Sequence, residues 1–235
     1  FSYSIKTYIL PKISDIFIME SDRIDLFDSP LLLVRNEGLP SDQISLKRIF
    51  DVFFSSLALI LFFPIIIVTS ISIKCCDGGP VLYKQIRLTK GGREFLMYKF
   101  RSMKVNAEQE GVAVLASKND NRITPVGKWI RLLRIDEIPQ FYNILKGEMS
   151  IVGPRPERPE IANKLRKEIP EFDFRLKVKA GLTGYAQIYG KYNTSPLNKL
   201  KMDIHYINSY NIWLDIKLMI LTIKTLFKKE SSEGV

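Results

Sequence analysis

The chain has 235 residues, enough for one ordinary domain with a smaller attachment, and a hydrophobic share of 46% excludes a disordered chain. A formal net charge of +10 asks for an anionic partner, of which nucleic acid, phosphorylated substrates and acidic lipid headgroups are the candidates. The two cysteines, Cys75 and Cys76, are adjacent and have no ligand partners nearby, so neither a disulfide framework nor a zinc site fits, and a reducing compartment does.

Residues 1–45 read as an irregular or strand-rich lead-in, with Leu31-Leu32-Leu33-Val34 a short buried-strand candidate and Pro40-Ser41-Asp42 as punctuation. Phe1, not Met, heads the chain, which is the expectation for a piece of something longer. From Val52 to Ile73 there are 22 residues without a charge. As a straight helix they would run to about 33 Å, enough to cross a bilayer core of about 30 Å. Pro64 lies near the middle and removes a backbone hydrogen bond there. Basic residues flank both ends: Lys47 and Arg48 before, Lys74, Lys84 and Arg87 after. These residues alone leave two arrangements open, a kinked spanning helix and a re-entrant one that breaks at Pro64 and returns to the same face. Cys75 and Cys76, just past this block, read as small apolar residues, with lipidation as the alternative.

From Asp77 the chain changes character. Asp77-Gly78-Gly79-Pro80 makes a turn, Val81-Leu82-Tyr83 a strand, and Lys90-Gly91-Gly92-Arg93 a hairpin turn into Phe95-Leu96-Met97-Tyr98. Thr124-Pro125 starts a helix, with Trp129, Ile130, Leu132 and Leu133 at helical spacing. A second helix is expected over about Asp136 to Lys146, closed by Gly147. Near the end, Trp213, Ile216, Ile220, Ile223 and Phe227 form one helical stripe while Lys217, Lys224, Lys228 and Lys229 fall elsewhere. That pattern suits a helix lying in a membrane surface, and equally a core-facing amphipathic helix. The fold class is α/β (α+β), helix-dominated, with a small sheet around residues 80–100.

Several familiar machines are absent: no Gly-x-Gly-x-x-Gly, no Walker loop, no Gly-x-Ser-x-Gly. The single histidine, His205, cannot be half of a histidine metal pair. What remains is acidic and basic. Asp136-Glu137 directly precedes Ile138-Pro139, and proline is tolerable only in a helix's first turn, which places both carboxylates at a helix N-terminus. The dipole there would keep them ionised and attract phosphate. One carboxylate beside a pyrophosphate can attack phosphorus and its neighbour can hold Mg²⁺. Gly153-Pro154-Arg155-Pro156-Glu157 is a rigid turn presenting Arg155, a residue suited to bidentate phosphate contact. Lys99 and Arg101 follow a strand, and Arg131 lies five residues before Asp136. Together these supply a nucleophile, a metal-binding acid and a cationic clamp for phosphoryl transfer. A basic membrane scaffold would explain the charge and the apolar block, but it leaves the Gly-Pro-Arg-Pro turn without a purpose. A nucleic-acid module would show a helix-turn-helix or aromatics interleaved with a basic stripe; neither is present, and nucleic acid is not an expected partner. A metal-dependent glycosyltransferase would need an Asp-x-Asp, which is also missing near any strand end.

Over Lys47 to Lys229 the chain resembles the bacterial sugar transferases, monotopic polyprenyl-phosphate sugar-1-phosphate transferases. The resemblance rests on an ordered set: Lys47-Arg48-Ile49-Phe50-Asp51, Asp77-Gly78-Gly79-Pro80-Val81, Tyr98-Lys99-Phe100-Arg101-Ser102-Met103, Asp136 to Asn143, Gly147 to Pro156, and Gly181-Leu182-Thr183-Gly184. It implies a monotopic protein of the bacterial cytoplasmic (inner) membrane, with a re-entrant helix over 46–76 broken at Pro64, a catalytic region over 77–229 on the cytoplasmic face, a tail over 230–235, and interfacial amphipathic helices. The lead-in would be the tail of an N-terminal extension such as larger members carry. Asp136 would attack the β-phosphate of a UDP-sugar, releasing UMP, and undecaprenyl phosphate would take the sugar phosphate from it. Such a reaction opens the membrane steps of capsule, exopolysaccharide or O-antigen synthesis. Glu137 would hold Mg²⁺, while Lys99, Arg101, Arg131, Arg155 and the flanking Pro154 and Pro156 would form the substrate site. Association as a homodimer, and the choice of sugar, stay open. Three positions depart from the family pattern: Phe63 stands where Ser often precedes the proline, Arg134 where Ser or Thr often lies two residues before the aspartate, and Lys179-Ala180 where Pro-Gly is more usual.

Overall fold

The computed structural model describes residues 11–19, 21–26, 29–33, 41–105, 107, 120–191 and 193–226. Helices dominate, accompanied among the described residues by three separate two-stranded pairs. The lead-in departs from its irregular reading, because α1 (Ile13–Met19) is a helix whose Ile16 packs with Phe172, Leu200 and Ile204. Strands β1 (Asp22–Leu26) and β2 (Ser29–Leu33) then form an antiparallel hairpin, so Leu31 to Leu33 are a strand as expected. Val34 and Pro40 lie outside the described residues.

The apolar block folds as two helices, α2 (Ser41–Leu61) and α3 (Phe63–Asp77). Phe62 leaves helical geometry at φ −87°, ψ 1°, and Pro64 sits in the first turn of α3, where its missing N–H costs least. At the far end Gly78 takes a left-handed φ of 67° and donates its N–H to the Lys74 carbonyl, closing α3. The continuous apolar segment Gln43–Asp77 is long and apolar enough to cross a membrane by length and composition. Around the break it has little protein cover, with Ile60, Leu61, Phe63 and Val68 all exposed. Its two outer ends behave differently. Lys47, Asp51 and Ser55 are buried where α2 meets the globular body, and Thr69 and Ile73 are buried where α3 does. A straight helix of this length would separate its ends by about 50 Å, yet both ends pack on one body.

Strands β3 (Leu82–Leu88) and β4 (Glu94–Phe100) form the expected antiparallel hairpin, with Gly91 and Gly92 at φ 71° and 73° supplying the positive dihedrals of its turn. Phe95 and Met97 alternate inward on β4. Thr124 caps α4 (Pro125–Leu132): its Oγ1 accepts from the Gly127 N–H at 2.9 Å. The next helix begins later than the sequence suggests. Residues Ile135–Glu137 form a 3₁₀ turn, and α5 (Gln140–Lys146) starts only after Pro139, ending at Gly147 as expected. Asn143 on α5 is fully buried and stitches the helix to β4: it accepts from the Tyr98 N–H and donates to the Leu96 carbonyl and to Glu148.

At the centre, β5 (Met149–Val152) pairs in parallel with β6 (Ala180–Thr183). A parallel pair needs a long crossover, and α6 (Pro159–Glu168) with the 3₁₀ segment Pro170–Lys177 supplies it. All four residues of β5 are buried, and Met149, Ile151 and Val152 lead the main core with Phe95, Met97, Ile144, Tyr206 and Leu218. The chain finishes with α7 (Tyr185–Tyr189), α8 (Pro196–Asn208) and α9 (Ile212–Leu226). On α9 Trp213, Ile220 and Ile223 are exposed on the expected stripe while Leu218 is fully buried on the opposite side; Phe227, Lys228 and Lys229 lie outside the described residues.

Candidate active site

The site is built where α4, the 3₁₀ turn and the end of β4 meet. The chain leaves α4 through Arg134, the one non-glycine residue with a positive φ (53°) among the described residues. That left-handed step costs on the order of 1–2 kcal/mol and swings Asp136 and Glu137 back over β4. Arg134 stands at the N-cap of the 3₁₀ turn and its side chain makes no cap bond there. Ile135 and Ile138 anchor the turn from below by packing against Ile73, Phe100 and Ile130.

Both carboxylates face cations. Lys99 Nζ, at the end of β4, lies 3.0 Å from Glu137 Oε1 and 3.8 Å from Asp136 Oδ2. Arg155 Nη2 lies 3.1 Å from the same Glu137 oxygen. The acidic side chains are 16% exposed and that of Arg155 is 47% exposed, so the acids sit under a partly open mouth with the guanidinium at its rim.

The two acids titrate apart. Burial pushes Asp136 up to about 6, with the charge of Glu137 adding to the rise and Lys99, Arg131 and Arg155 opposing it. Glu137 also suffers burial, but Lys99 and Arg155 more than offset it, through charge and the Lys99 hydrogen bond, and hold it well below the usual carboxylate range. The expectation that both acids head a helix is corrected here. They lie within the 3₁₀ turn Ile135–Glu137 rather than at the head of α5, and desolvation governs Asp136. Paired acids pushed in opposite directions are the usual arrangement of a site with two roles.

Most of the sequence-derived set is brought together: Lys99, Asp136, Glu137 and Arg155 in contact, with Arg131 near enough for its charge to bear on Asp136. Pro154 and Pro156 are buried on either side of Arg155 and stiffen its turn without reaching the acids. Arg101 is placed elsewhere. It is buried against Asp77 at the foot of α3, beside Gly79, where any side chain would strike the Arg101 guanidinium. Its role here is to tie α3 to the hairpin. Lys47 and Arg48, read as flanking charges, are also docked: Lys47 is buried on Asp215, and Arg48 donates to the Ile144 and Leu145 carbonyls at the end of α5. The sequence reading passed over Gln140, only 3% exposed and three residues after Glu137, whose amide nitrogen has no acceptor among the described residues. It passed over Asp203 and Asp215 too; each is an acid set among buried apolar residues of a helix, a pattern that by itself signals a buried partner.

No cluster of three or more metal-ligating side chains occurs among the described residues. The donors available are the hard oxygens of Asp136 and Glu137. They fit Mg²⁺, which is commonly held by one or two carboxylates together with substrate phosphates rather than by a closed protein cage.

The family model for bacterial sugar transferases matches residues 42–229. The chain belongs to the bacterial sugar transferase family. It is 42% identical over 184 residues to a UDP-N-acetylgalactosamine-undecaprenyl-phosphate N-acetylgalactosaminephosphotransferase of Aeromonas hydrophila, covering 77% of this chain and 43% of that protein. It is 40% identical over 214 residues to a UDP-glucose:undecaprenyl-phosphate glucose-1-phosphate transferase of Klebsiella pneumoniae, covering 89% of this chain and 44% of that one. A Caulobacter vibrioides protein of the same description is 34% identical over 217 residues, covering 89% of this chain and 81% of its own length. The chain thus spans less than half the length of the first two relatives. The family match takes in α2 through α9, so the carboxylate turn and the Arg155 turn both lie inside it.

Proposed function

We propose that this bacterial sugar transferase moves a sugar-1-phosphate from a UDP-sugar to undecaprenyl phosphate, releasing UMP, through a phosphosugar held covalently on Asp136. The contact of Asp136 and Glu137 with Lys99 and Arg155 carries this reading. In the first step an Asp136 oxygen bonds to the β-phosphorus while the bond from that phosphorus to the oxygen bridging the two phosphates breaks, and UMP leaves with the electron pair. In the second, a phosphate oxygen of undecaprenyl phosphate bonds to the same phosphorus and Asp136 is released as carboxylate. A nucleophile that starts neutral below about pH 6 and ionises near neutrality suits both attack and departure. Lys99 and Arg155 offset the charge of the pyrophosphate, and Arg131 adds to the field. Glu137 would hold Mg²⁺ together with the phosphates, and the ion supplies charge neutralisation when bound.

The apolar helices fit the lipid substrate. Their uncovered turn at Phe62 to Pro64 and the docking of both outer ends on one body support re-entry into one leaflet of the cytoplasmic membrane, with the carboxylates on the cytoplasmic side. The stripe on α9, the exposed Trp129 and Leu132 of α4 and Leu133 just past its end would rest in the headgroup region. The relatives' names place them in undecaprenyl-phosphate chemistry, and the same step here would start a capsule, exopolysaccharide or O-antigen glycan.

The test is UMP release by detergent-solubilised protein with Mg²⁺, undecaprenyl phosphate and a panel of UDP-sugars. One sugar is expected to give UMP, with loss on chelating Mg²⁺ and with Asp136→Ala, and radiolabelled donor is expected to tag the protein when the lipid is withheld. Folded protein that releases no UMP from any donor would defeat the assignment.

A further inference from the structure

The turn that presents Arg155 cannot hold itself. Pro154 and Pro156 lack N–H groups, so the segment has little internal hydrogen bonding to draw on. Its four consecutive carbonyls are instead taken one by one from outside. Gly181 N–H donates to Pro154 O at 2.8 Å, Arg175 Nη2 to Arg155 O at 2.9 Å, Arg87 Nη1 to Pro156 O at 2.9 Å, and Leu88 N–H to Glu157 O at 2.9 Å. The donor at the carbonyl of Arg155 itself is a side chain, and that side chain is fixed in turn. The same Arg175 Nη2 lies 2.9 Å from Asp203 Oδ2 on α8, and the guanidinium carbon sits 5.2 Å from the centre of the Phe172 ring. The side chains of Arg175 and Asp203 are 10% and 2% exposed.

We propose that Arg175, held by Asp203, is a positioning residue for the transfer reaction: it fixes the backbone at Arg155 so that the Arg155 guanidinium meets the reacting phosphates beside Glu137. This rests on the function proposed above. The alternative is that Arg175 and Asp203 form an ordinary core ion pair. Buried pairs are weak sources of stability, because desolvation offsets most of their attraction. This one also directs a hydrogen bond at the backbone of Arg155, whose side chain stands half-exposed at the mouth. Nor is Arg175 a further phosphate ligand, since its side chain is only 10% exposed and its Nη2 donates to the Arg155 carbonyl while ion-paired with Asp203. The line runs unbroken from α8 to the site: Asp203, Arg175, the Arg155 carbonyl, the Arg155 guanidinium, Glu137.

The experiment is a double-mutant cycle on the full chain in detergent, reading UMP release and thermal unfolding for Arg155→Ala, Arg175→Ala and the double variant. Arg155→Ala is expected to lower kcat/KM about 100- to 1,000-fold and Arg175→Ala about 10- to 100-fold. Arg175→Ala is expected to divide its loss between kcat and KM for the UDP-sugar as Arg155→Ala does. In the Arg155→Ala background the second change is expected to add less than about threefold, because nothing is left to position. Losses that multiply, or an Arg175→Ala enzyme with unaltered kinetics, would overturn the inference while leaving the reaction intact. Arg175→Lys, which keeps a cation beside Asp203, carries the same cycle if Arg175→Ala unfolds; it is expected to recover part of the activity only when Arg155 is present, and equal recovery in both backgrounds overturns the inference. An unaltered chain that releases no UMP from any UDP-sugar defeats the functional assignment and this inference with it.

Discussion

Two lysines in this molecule each meet a carboxylate, and their surroundings differ in kind. Lys47 Nζ has three acceptors, Asp215 Oδ2 at 2.5 Å, Val152 O at 3.0 Å and Tyr206 Oη at 3.3 Å, which occupies every N–H an ammonium has. Asp215 accepts in addition from the Tyr206 and Tyr210 hydroxyls. Lys99 instead faces two acids, bonded to Glu137 at 3.0 Å and standing 3.8 Å from Asp136, beyond hydrogen-bonding distance. A saturated pair is a clasp; this one joins α2, β5, α8 and α9 around the root of the apolar helices. An unsaturated one leaves a carboxylate governed by nearby charge rather than by a bond, and such a group can leave its place to form a new one. Saturation, more than burial, separates the scaffold lysine from the lysine of the candidate site.

The largest effect should come from Asp136, which has no hydrogen bond at its carboxylate among the described residues. Asp136→Ala is expected to reduce UMP release to the assay background, a loss of at least about 1,000-fold, with thermal unfolding in detergent little altered. Retained turnover would mean that the open carboxylate is not the nucleophile. Exchanging the two lysines tests the contrast directly. Lys47→Met strands Asp215 in the core and should cost about 3–5 kcal/mol of stability, with turnover per folded molecule nearly unchanged. Lys99→Met should lower UMP release about 100-fold while leaving the unfolding temperature close to that of the parent. If both changes acted on stability alone, the distinction between the two pairs would collapse.

Proton uptake gives a smaller effect. Because burial pushes Asp136 up to about 6, its neutral form, which cannot attack, dominates below that pH. UMP release should therefore level off above about pH 7 and fall about tenfold for each pH unit below the pKa. An acid limb near 4 would show that the cations around Asp136 outweigh its desolvation.

Much of this was legible in the sequence, and each miss has a physical cause. The β3–β4 hairpin, the Thr124 cap, the Gly147 stop and the break at Pro64 all follow from local turn and capping chemistry, which needs no knowledge of the rest of the chain. Lys99, Asp136, Glu137 and Arg155 come together as their motifs suggest. Arg101 was grouped with Lys99 because they are two residues apart, but the chain turns after Phe100 and delivers Arg101 to Asp77. The start of α5 was placed too early because the proline rule admits either a first turn or a separate 3₁₀ turn, and the left-handed Arg134 selects the second. The docking of Arg48, Arg87 and Arg175 lies beyond the sequence for a different reason. Each spends its guanidinium on backbone carbonyls, 96, 69 and 20 residues away in the chain at their principal contacts, and no spacing rule reaches that far.

The finest test of the contrast lies within a single helix. On one side α9 carries Asp215 and the fully buried Leu218; on the other it exposes Trp213, Ile220 and Ile223. Leu218→Ala should cost about 2–5 kcal/mol, because it opens a cavity in the main core. Ile220→Ser should leave unfolding in detergent unchanged, since that side chain is 60% exposed and has little protein contact to lose. Its effect should appear only on lipid, as a roughly fivefold to tenfold weaker partition into anionic vesicles in a flotation assay, the scale expected for one aliphatic side chain withdrawn from an interface. If Ile220→Ser instead destabilised the detergent-solubilised chain as Leu218→Ala does, the outer stripe of α9 would be a protein contact, and membrane attachment would rest on the α2–α3 pair alone.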